Sequence, residues 1–397
     1  MATPIKIIAL IIPVVLPLLL SAADFNGYAG VEVRHFLQGP LDNMQHGDNV
    51  SITAEPEFFH EWDNGNQSIA FVPYARWDLG DGQRTHMDIR ELTWIKVSES
   101  WEFRAGIGKV FWGVMEFQHL VDIINQTDLV ENIDTEDKLG QPMLNLALVR
   151  EWGTLDFFLM PYFRERTYPG IKGRHRTIPV IDDDSAVYES SARERHIDFA
   201  IRYYHTISDW DIGISHFYGT SRDPRLQGSI NSKGSPVLVP YYEVINQTSL
   251  DLQLTRGNTS WKLEALHRSG QGSTYNAIGA GFEYTFTGIL GSGIDLGLLG
   301  EYHYDARGKQ APTLFDDDLG IGMRLSFNDI QSSALLAGLV IDRDTGTIFI
   351  NIEASRRFGQ SWVGELQARL LTDQSPVDPL YSFNNDDYLE LFLSYHF

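Results

Sequence analysis

The chain has 397 residues, a formal net charge of −22 and no cysteine. The missing cysteine excludes disulfides, thiolate metal sites and a cysteine nucleophile. The acidity excludes a nucleic-acid partner, whose phosphates need a basic footprint. Aromatic residues make up 12% of the sequence, a share that suits both a membrane barrel with interfacial girdles and a soluble sugar-binding protein, so composition leaves that choice open.

Residues 1–23 read as a secretory signal, with Lys6 ahead of an apolar core over 7–20 and Ser21-Ala22-Ala23 before Asp24. The core contains Pro13 and Pro17 and falls short of the ~20 residues of a transmembrane helix. No Cys follows the cleavage site, which excludes a lipoprotein anchor. No later apolar run is long enough to span as a helix, so a membranous chain has to be a closed barrel. Candidate strands then follow in order at 25–36, 51–62, 67–78, 85–96 and 101–111. Further ones fall at 143–150, 154–163, 196–205, 210–218, 242–255, 260–268 and 276–286. The last are at 293–305, 318–327, 333–342, 347–358, 362–372 and 388–397. Most alternate apolar and polar with a period of two, the 85–96 segment least clearly.

The connections alternate in length. After even-numbered strands they are short and rich in Gly, Asn, Asp and Ser, as in Asp63-Asn64-Gly65-Asn66 and Arg256-Gly257-Asn258-Thr259. After odd-numbered strands they are often long: 37–50, 112–142, 164–195, 219–240, 306–317 and 373–387. This asymmetry predicts an all-β fold, a transmembrane antiparallel up-and-down β-barrel of about 18 strands over 24–397. Sixteen is the count if one weak hairpin merges. A soluble propeller or sandwich would also give many short strands, but neither predicts the alternation, and no 40-residue repeat is present.

The final strand is Y-L-E-L-F-L-S-Y-H-F. Leu389, Leu391, Leu393, Tyr395 and Phe397 lie on one face. Its aromatic carboxy terminus resembles the assembly signal of Gram-negative outer-membrane β-barrel proteins. Leu391, Leu393, Tyr395 and Phe397 carry that resemblance, which implies recognition by the barrel-assembly machinery and residence in the outer membrane with its lipopolysaccharide.

The 112–142 connection is too apolar for a free loop. Phe117, Leu120, Val121, Ile123, Ile124, Leu129, Val130 and Ile133 need a surface to pack on, and the spacing of Leu120, Ile123 and Ile124 predicts a short helix. Folding inward, it would narrow a pore, presenting Glu116, Asp122, Asn125, Asp128, Glu131, Asp134, Glu136 and Asp137. The polar phases of the strands offer a basic wall of Arg34, Arg76, Arg104, Arg202, Lys262, Arg268, Arg324 and Arg369. Acidic companions on the same phases are Glu57, Glu102, Glu264, Glu283, Glu301 and Glu365. Charges facing lipid at mid-bilayer cost ~2–4 kcal/mol, so these should point inward or sit near an interface. One reading is wall solvation by mutual pairing; the sharper one is a transverse field that orients polar solutes.

Other motifs carry less. Gly106-Ile107-Gly108-Lys109 lacks the spacing of a phosphate-binding loop. The triple-Asp runs at 182–184 and 316–318 are solvated loop tips before they are Ca²⁺ or lipopolysaccharide contacts. The histidines show no paired ligand spacing, so no metal or other cofactor is expected. Ser215 and His216 are neighbours on a strand and point to opposite faces, and no G-x-S-x-G elbow exists, so no enzyme is expected.

The inward loop is where general porins resemble this chain. Trp112-Gly113 followed by I-N-Q-T-D is similar to uncharacterised porin-like families of the outer membrane. The resemblance implies passive diffusion of small polar or charged solutes, the solute itself being unassigned. The strand count departs from that of trimeric general porins, leaving monomer and trimer both open. The alternatives are a barrel acting through its outer loops, as adhesin, partner-binding scaffold or enzyme, and a lateral route for hydrophobic compounds.

Overall fold

The computed structural model describes residues 24–311, 313, 315–372, 374 and 379–397. The secretory-signal reading of 1–23, and parts of the last long connection, lie outside these residues. The strands are β1 (Asp24–Phe36), β2 (Asn49–Trp62), β3 (Gln67–Asp78), β4 (His86–Ser98), β5 (Trp101–Gly108), β6 (Gln141–Arg150) and β7 (Gly153–Met160). Then come β8 (Val187–Tyr188), β9 (Asp198–Ile207), β10 (Trp210–Thr220), β11 (Arg225–Ile230), β12 (Pro236–Tyr242), β13 (Val244–Arg256) and β14 (Thr259–Gly270). The chain finishes with β15 (Gly272–Phe286), β16 (Asp295–Asp305), β17 (Asp317–Ser326), β18 (Ala334–Asp342), β19 (Ile348–Phe358), β20 (Trp362–Leu371) and β21 (Tyr388–His396).

Eighteen of these strands form one antiparallel sheet, each paired with the next in sequence. β21 returns to β1 from Tyr388↔Phe36 to His396↔Tyr28, and so closes the barrel. All the expected barrel strands are present, and the count is 18. The fifth stops at Gly108 because Lys109 to Phe111 leave the ladder for the long connection. The three short strands β8, β11 and β12 form a separate small sheet in the outer connections, which the sequence reading did not anticipate.

Burial is inverted relative to a soluble protein. On β1, Glu32 and Arg34 are buried while Val31 and Val33 stand 44% and 42% exposed. The same holds at Arg202, Ser215, Glu264 and Glu301, buried on strands whose opposite phase exposes Ile201, Ile214, Trp261 and Leu298. A continuous apolar outer face of this kind is stable only against lipid, and a closed ladder is the one β arrangement that leaves no backbone group unpaired there. The ladder is interrupted between β2 and β3. Pairing between β2 and β3 is continuous over Ser51–Ala54 and again over Phe58–Trp62, with Pro56 and Pro73, which have no N–H to donate, in the interval.

Leu391 lies mid-strand on the outer face and is 54% exposed. Replacing it with Arg should cost ~2–4 kcal/mol in a bilayer. We expect a lower urea midpoint for Leu391→Arg than for the unaltered barrel folded in lipid vesicles. Equal midpoints would contradict a lipid-facing β21.

Candidate functional site

The 112–142 connection contains no helix among the described residues; Leu120 to Ile124 are turn and irregular backbone. Its amides find side-chain acceptors on the wall instead. The Glu264 carboxylate on β14 accepts from Val114 N (2.6 Å), Met115 N (2.9 Å) and Val121 N (3.1 Å). Glu301 on β16 accepts from Glu116 N (2.8 Å) and Phe117 N (3.1 Å). Two wall carboxylates thus supply acceptors for the amides of this irregular segment, Val121 N among them within the stretch whose spacing suggested a helix. Gly113 permits the close approach. Its φ is +126°, and a Cβ there would sit 2.6 Å from Glu264 Oε1.

The apolar side of the segment was read correctly as needing a surface. Trp112, Val121, Ile123 and Ile124 pack with Met143, Phe158, Met160, Ala200, Phe217 and Ile245, from β6, β7, β9, β10 and β13. The Phe117 ring lies against Gly320 and Gly338 of β17 and β18, where a Cβ would approach it to 2.5 and 3.0 Å. Asn125 staples the two ends of the segment. Its Nδ2 donates to the carbonyls of Gly108 (2.9 Å) and Leu139 (2.8 Å), while its Oδ1 accepts from Val110 N (2.8 Å).

Most of the acidic residues singled out in this segment meet cations at contact distance. Glu116 pairs with Lys262 (2.6 Å) and Arg324 (2.9 Å). Glu131 pairs with Arg76 (2.6 Å) and Asp128 with Arg90 (2.6 Å). Asp134 pairs with Arg369, Glu136 with His119 (2.9 Å) and Asp122 with Lys138 (3.1 Å). Burial alone would raise the Glu131 carboxyl, but Arg76, Arg84 and Arg90 outweigh it and hold it below the usual carboxylate range. At Asp122 burial prevails over Lys138 and raises the carboxyl.

The remaining basic wall residues pair elsewhere. Arg34 meets Glu390 (2.5 Å), Arg202 meets Asp251 (2.7 Å), Arg268 meets Asp223 (3.6 Å), and Arg104 meets Glu102 on its own strand. The predicted transverse field is therefore largely collapsed into contact pairs. What stays open is mostly acidic, with Lys109 an unpaired cation beside Glu55 and Asp137. Among the described residues, Glu55, Glu57, Asp137 and Glu365 have no ion pair. A cavity of about 320 Å³ opens where Tyr28, Glu55, Glu57, Val72 and His396 face one another. Asp137 meets water, yet the protein around it and the nearby charges of Asp134 and Glu131 push its carboxyl up to about 7.

Sequence reasoning missed His86, Arg84 and Arg90, which join Asp128 and Glu131 in one cluster. Nothing in the spacing signals it, because Arg90 and Asp128 come from different elements. Ser215 is buried and the adjacent His216 exposed, in keeping with their opposite faces.

No protein-family model and no curated protein matches the sequence. Solved structures do. One is an engineered protein described for its asymmetric conductivity, at 12% identity and a TM-score of 0.46. Two more are mutants of the porin of Rhodopseudomonas blastica, each at 12% identity and a TM-score of 0.47. All three cover 94% of this chain and 100% of the other.

Glu264→Ala should leave three loop amides without an acceptor, at ~1–3 kcal/mol for each that stays buried. We expect protease cleavage within 112–142 to rise sharply while the barrel stays folded, with Glu264→Gln intermediate. A cleavage rate unchanged in Glu264→Ala would show that the carboxylate does not hold the segment.

Proposed function

We propose that the protein is an outer-membrane channel for passive diffusion of small polar or charged solutes, narrowed by the 112–142 segment and preferring cations. The observation that carries this reading is the charge balance inside the inverted barrel. The wall cations are tied up in ion pairs, whereas Glu55, Glu57, Asp137 and Glu365 remain open, with Lys109 the unpaired cation near them. Paired charges contribute little net potential, and unpaired ones set which ions enter. The segment bonds to inner-phase residues of β3, β14, β16, β17 and β20, a span of contacts that supports a position across the lumen.

The apolar outer face supports residence in the outer membrane of a Gram-negative bacterium, with lipid and lipopolysaccharide as surroundings. The carboxy-terminal face supports docking to the barrel-assembly machinery. Leu391, Leu393, Tyr395 and Phe397 all present exposed apolar surface, and Phe397 stacks on Phe25 at 5.1 Å between ring centres.

The reading is tested by single-channel recording of the refolded chain in a planar bilayer. We expect discrete steps that enlarge on deletion of 116–137, and a reversal potential in a KCl gradient favouring K⁺. Silence from a folded barrel, intact and deleted alike, would point to function through the outer loops. Cation preference should also rise between pH 6 and 8. The Asp137 carboxyl titrates near pH 7, so it is neutral below that point and adds a negative charge above it. Asp137→Asn should flatten the rise, and a variant with the full pH slope would assign it to other groups.

A further inference from the structure

One cluster beside the loop has the construction of a metal site. Nδ1 of His86 lies 3.1 Å from the Arg84 carbonyl oxygen. A carbonyl only accepts, so Nδ1 carries the proton, and Nε2 of the neutral ring presents a lone pair. That lone pair is 3.2 Å from Glu131 Oε1 and 3.9 Å from Asp128 Oδ2. Neither Nε2 nor Oε1 has a hydrogen-bond partner, and Glu131 is only 6% exposed. Three electron-pair donors therefore converge within 4.8 Å of one another. Arg90 offsets part of their mutual repulsion, with Nη1 2.6 Å from Asp128 Oδ2 and Nη2 3.7 Å from Glu131 Oε1, and leaves the short Nε2–Oε1 approach without a proton or cation between the two atoms.

The surrounding contacts orient each donor. Thr167 Oγ1 donates to Asp128 Oδ1 (2.6 Å), and Tyr74 Oη donates to Glu131 Oε2 (2.8 Å). Arg76 lies 2.6 Å from that same Oε2. Metal ligands are held in this manner through their outer atoms. Charge leaves room for a cation as well. Five carboxylates, Glu32, Asp78, Asp88, Asp128 and Glu131, face four guanidiniums, Arg76, Arg84, Arg90 and Arg164. Arg34, which also reaches Glu32 at 3.5 Å, is balanced by Glu390 at 2.5 Å. With His86 neutral the cluster thus carries one net negative charge, so its total charge does not oppose an added cation.

We propose that His86 Nε2, Asp128 Oδ2 and Glu131 Oε1 bind a single divalent transition-metal ion of the zinc type. One imidazole and two carboxylates form an N/O donor set that suits Zn²⁺, whereas Ca²⁺ calls for six to eight oxygens. Arg90 shares Asp128 Oδ2 at 2.6 Å, which keeps the affinity modest. The ion joins β4 to the 112–142 segment and fixes the part of it that carries Asp128 and Glu131.

The test is calorimetric titration of the refolded full-length chain in detergent with ZnCl₂, and separately with CaCl₂. We expect one equivalent of Zn²⁺ and no saturable Ca²⁺ binding. His86→Gln removes a direct ligand and should weaken Zn²⁺ by at least the ~10–100-fold that loss of an outer-shell partner costs, and His86→Cys should restore it, a thiolate being a zinc ligand. Heat-dependent gel migration checks that each variant is a folded barrel. Absence of Zn²⁺ binding would overturn the proposal. Undiminished binding in His86→Gln, or a loss that Cys does not recover, would overturn it too. Because the readout is binding and not current, its failure and that of the channel reading are separable.

Discussion

Lipid offers the backbone no hydrogen-bond partner, and this one constraint shapes the molecule at two scales. At the large scale it forces β1 and β21, the two ends of the sheet, onto each other, so that the last strand is as fully paired as any in the middle. The apolar residues that a soluble protein would bury are then free to face outward. At the small scale the same requirement governs the segment between β5 and β6. A segment that leaves the sheet after β5 still has to satisfy its amides, and it does so on Glu264 and Glu301 of the facing wall. Those carboxylates act as backbone partners first and as charges second.

The interior is accordingly divided. Along β6, β7, β9, β10 and β13 the inner wall is apolar enough to receive Trp112, Val121, Ile123 and Ile124. Across from it, β3, β4, β14, β17 and β20 hold the other face of the segment by ion pairs. Packing on one side and charge on the other fix the segment in place without any regular secondary structure. Desolvated pairs of this sort are costly to break one partner at a time, because the survivor stays buried and uncompensated.

The barrel was legible because its signals are local. A period of two, turn residues at alternate connections and an aromatic last strand all lie within short windows, and β3 was placed at its observed bounds, Gln67–Asp78. The three small outer strands were not, since Val187–Tyr188 is too short to show a period and pairs with a distant segment. The helix expected near Ile124 failed for a related reason. The spacing of Leu120, Ile123 and Ile124 is real, but the Val121 amide inside it is held by Glu264, more than a hundred residues away. Inner-phase charges such as Lys262 and Arg369 could be named from alternation alone. Which carboxylate each would meet depended on where the loop crossed, and alternation does not carry that information.

The mixture of closed and open charges gives the barrel two different sensitivities to ionic strength. Pairs such as Arg369–Asp134 and Arg76–Glu131 are shut away from mobile ions, so added salt barely weakens them. Glu55, Glu57 and Glu365 are free to gather a counterion cloud, whose reach shrinks to about 3 Å at 1 M. In saline surroundings the ion pairs that hold the 112–142 segment therefore persist, while the field of the unpaired carboxylates is screened within a few ångström of them.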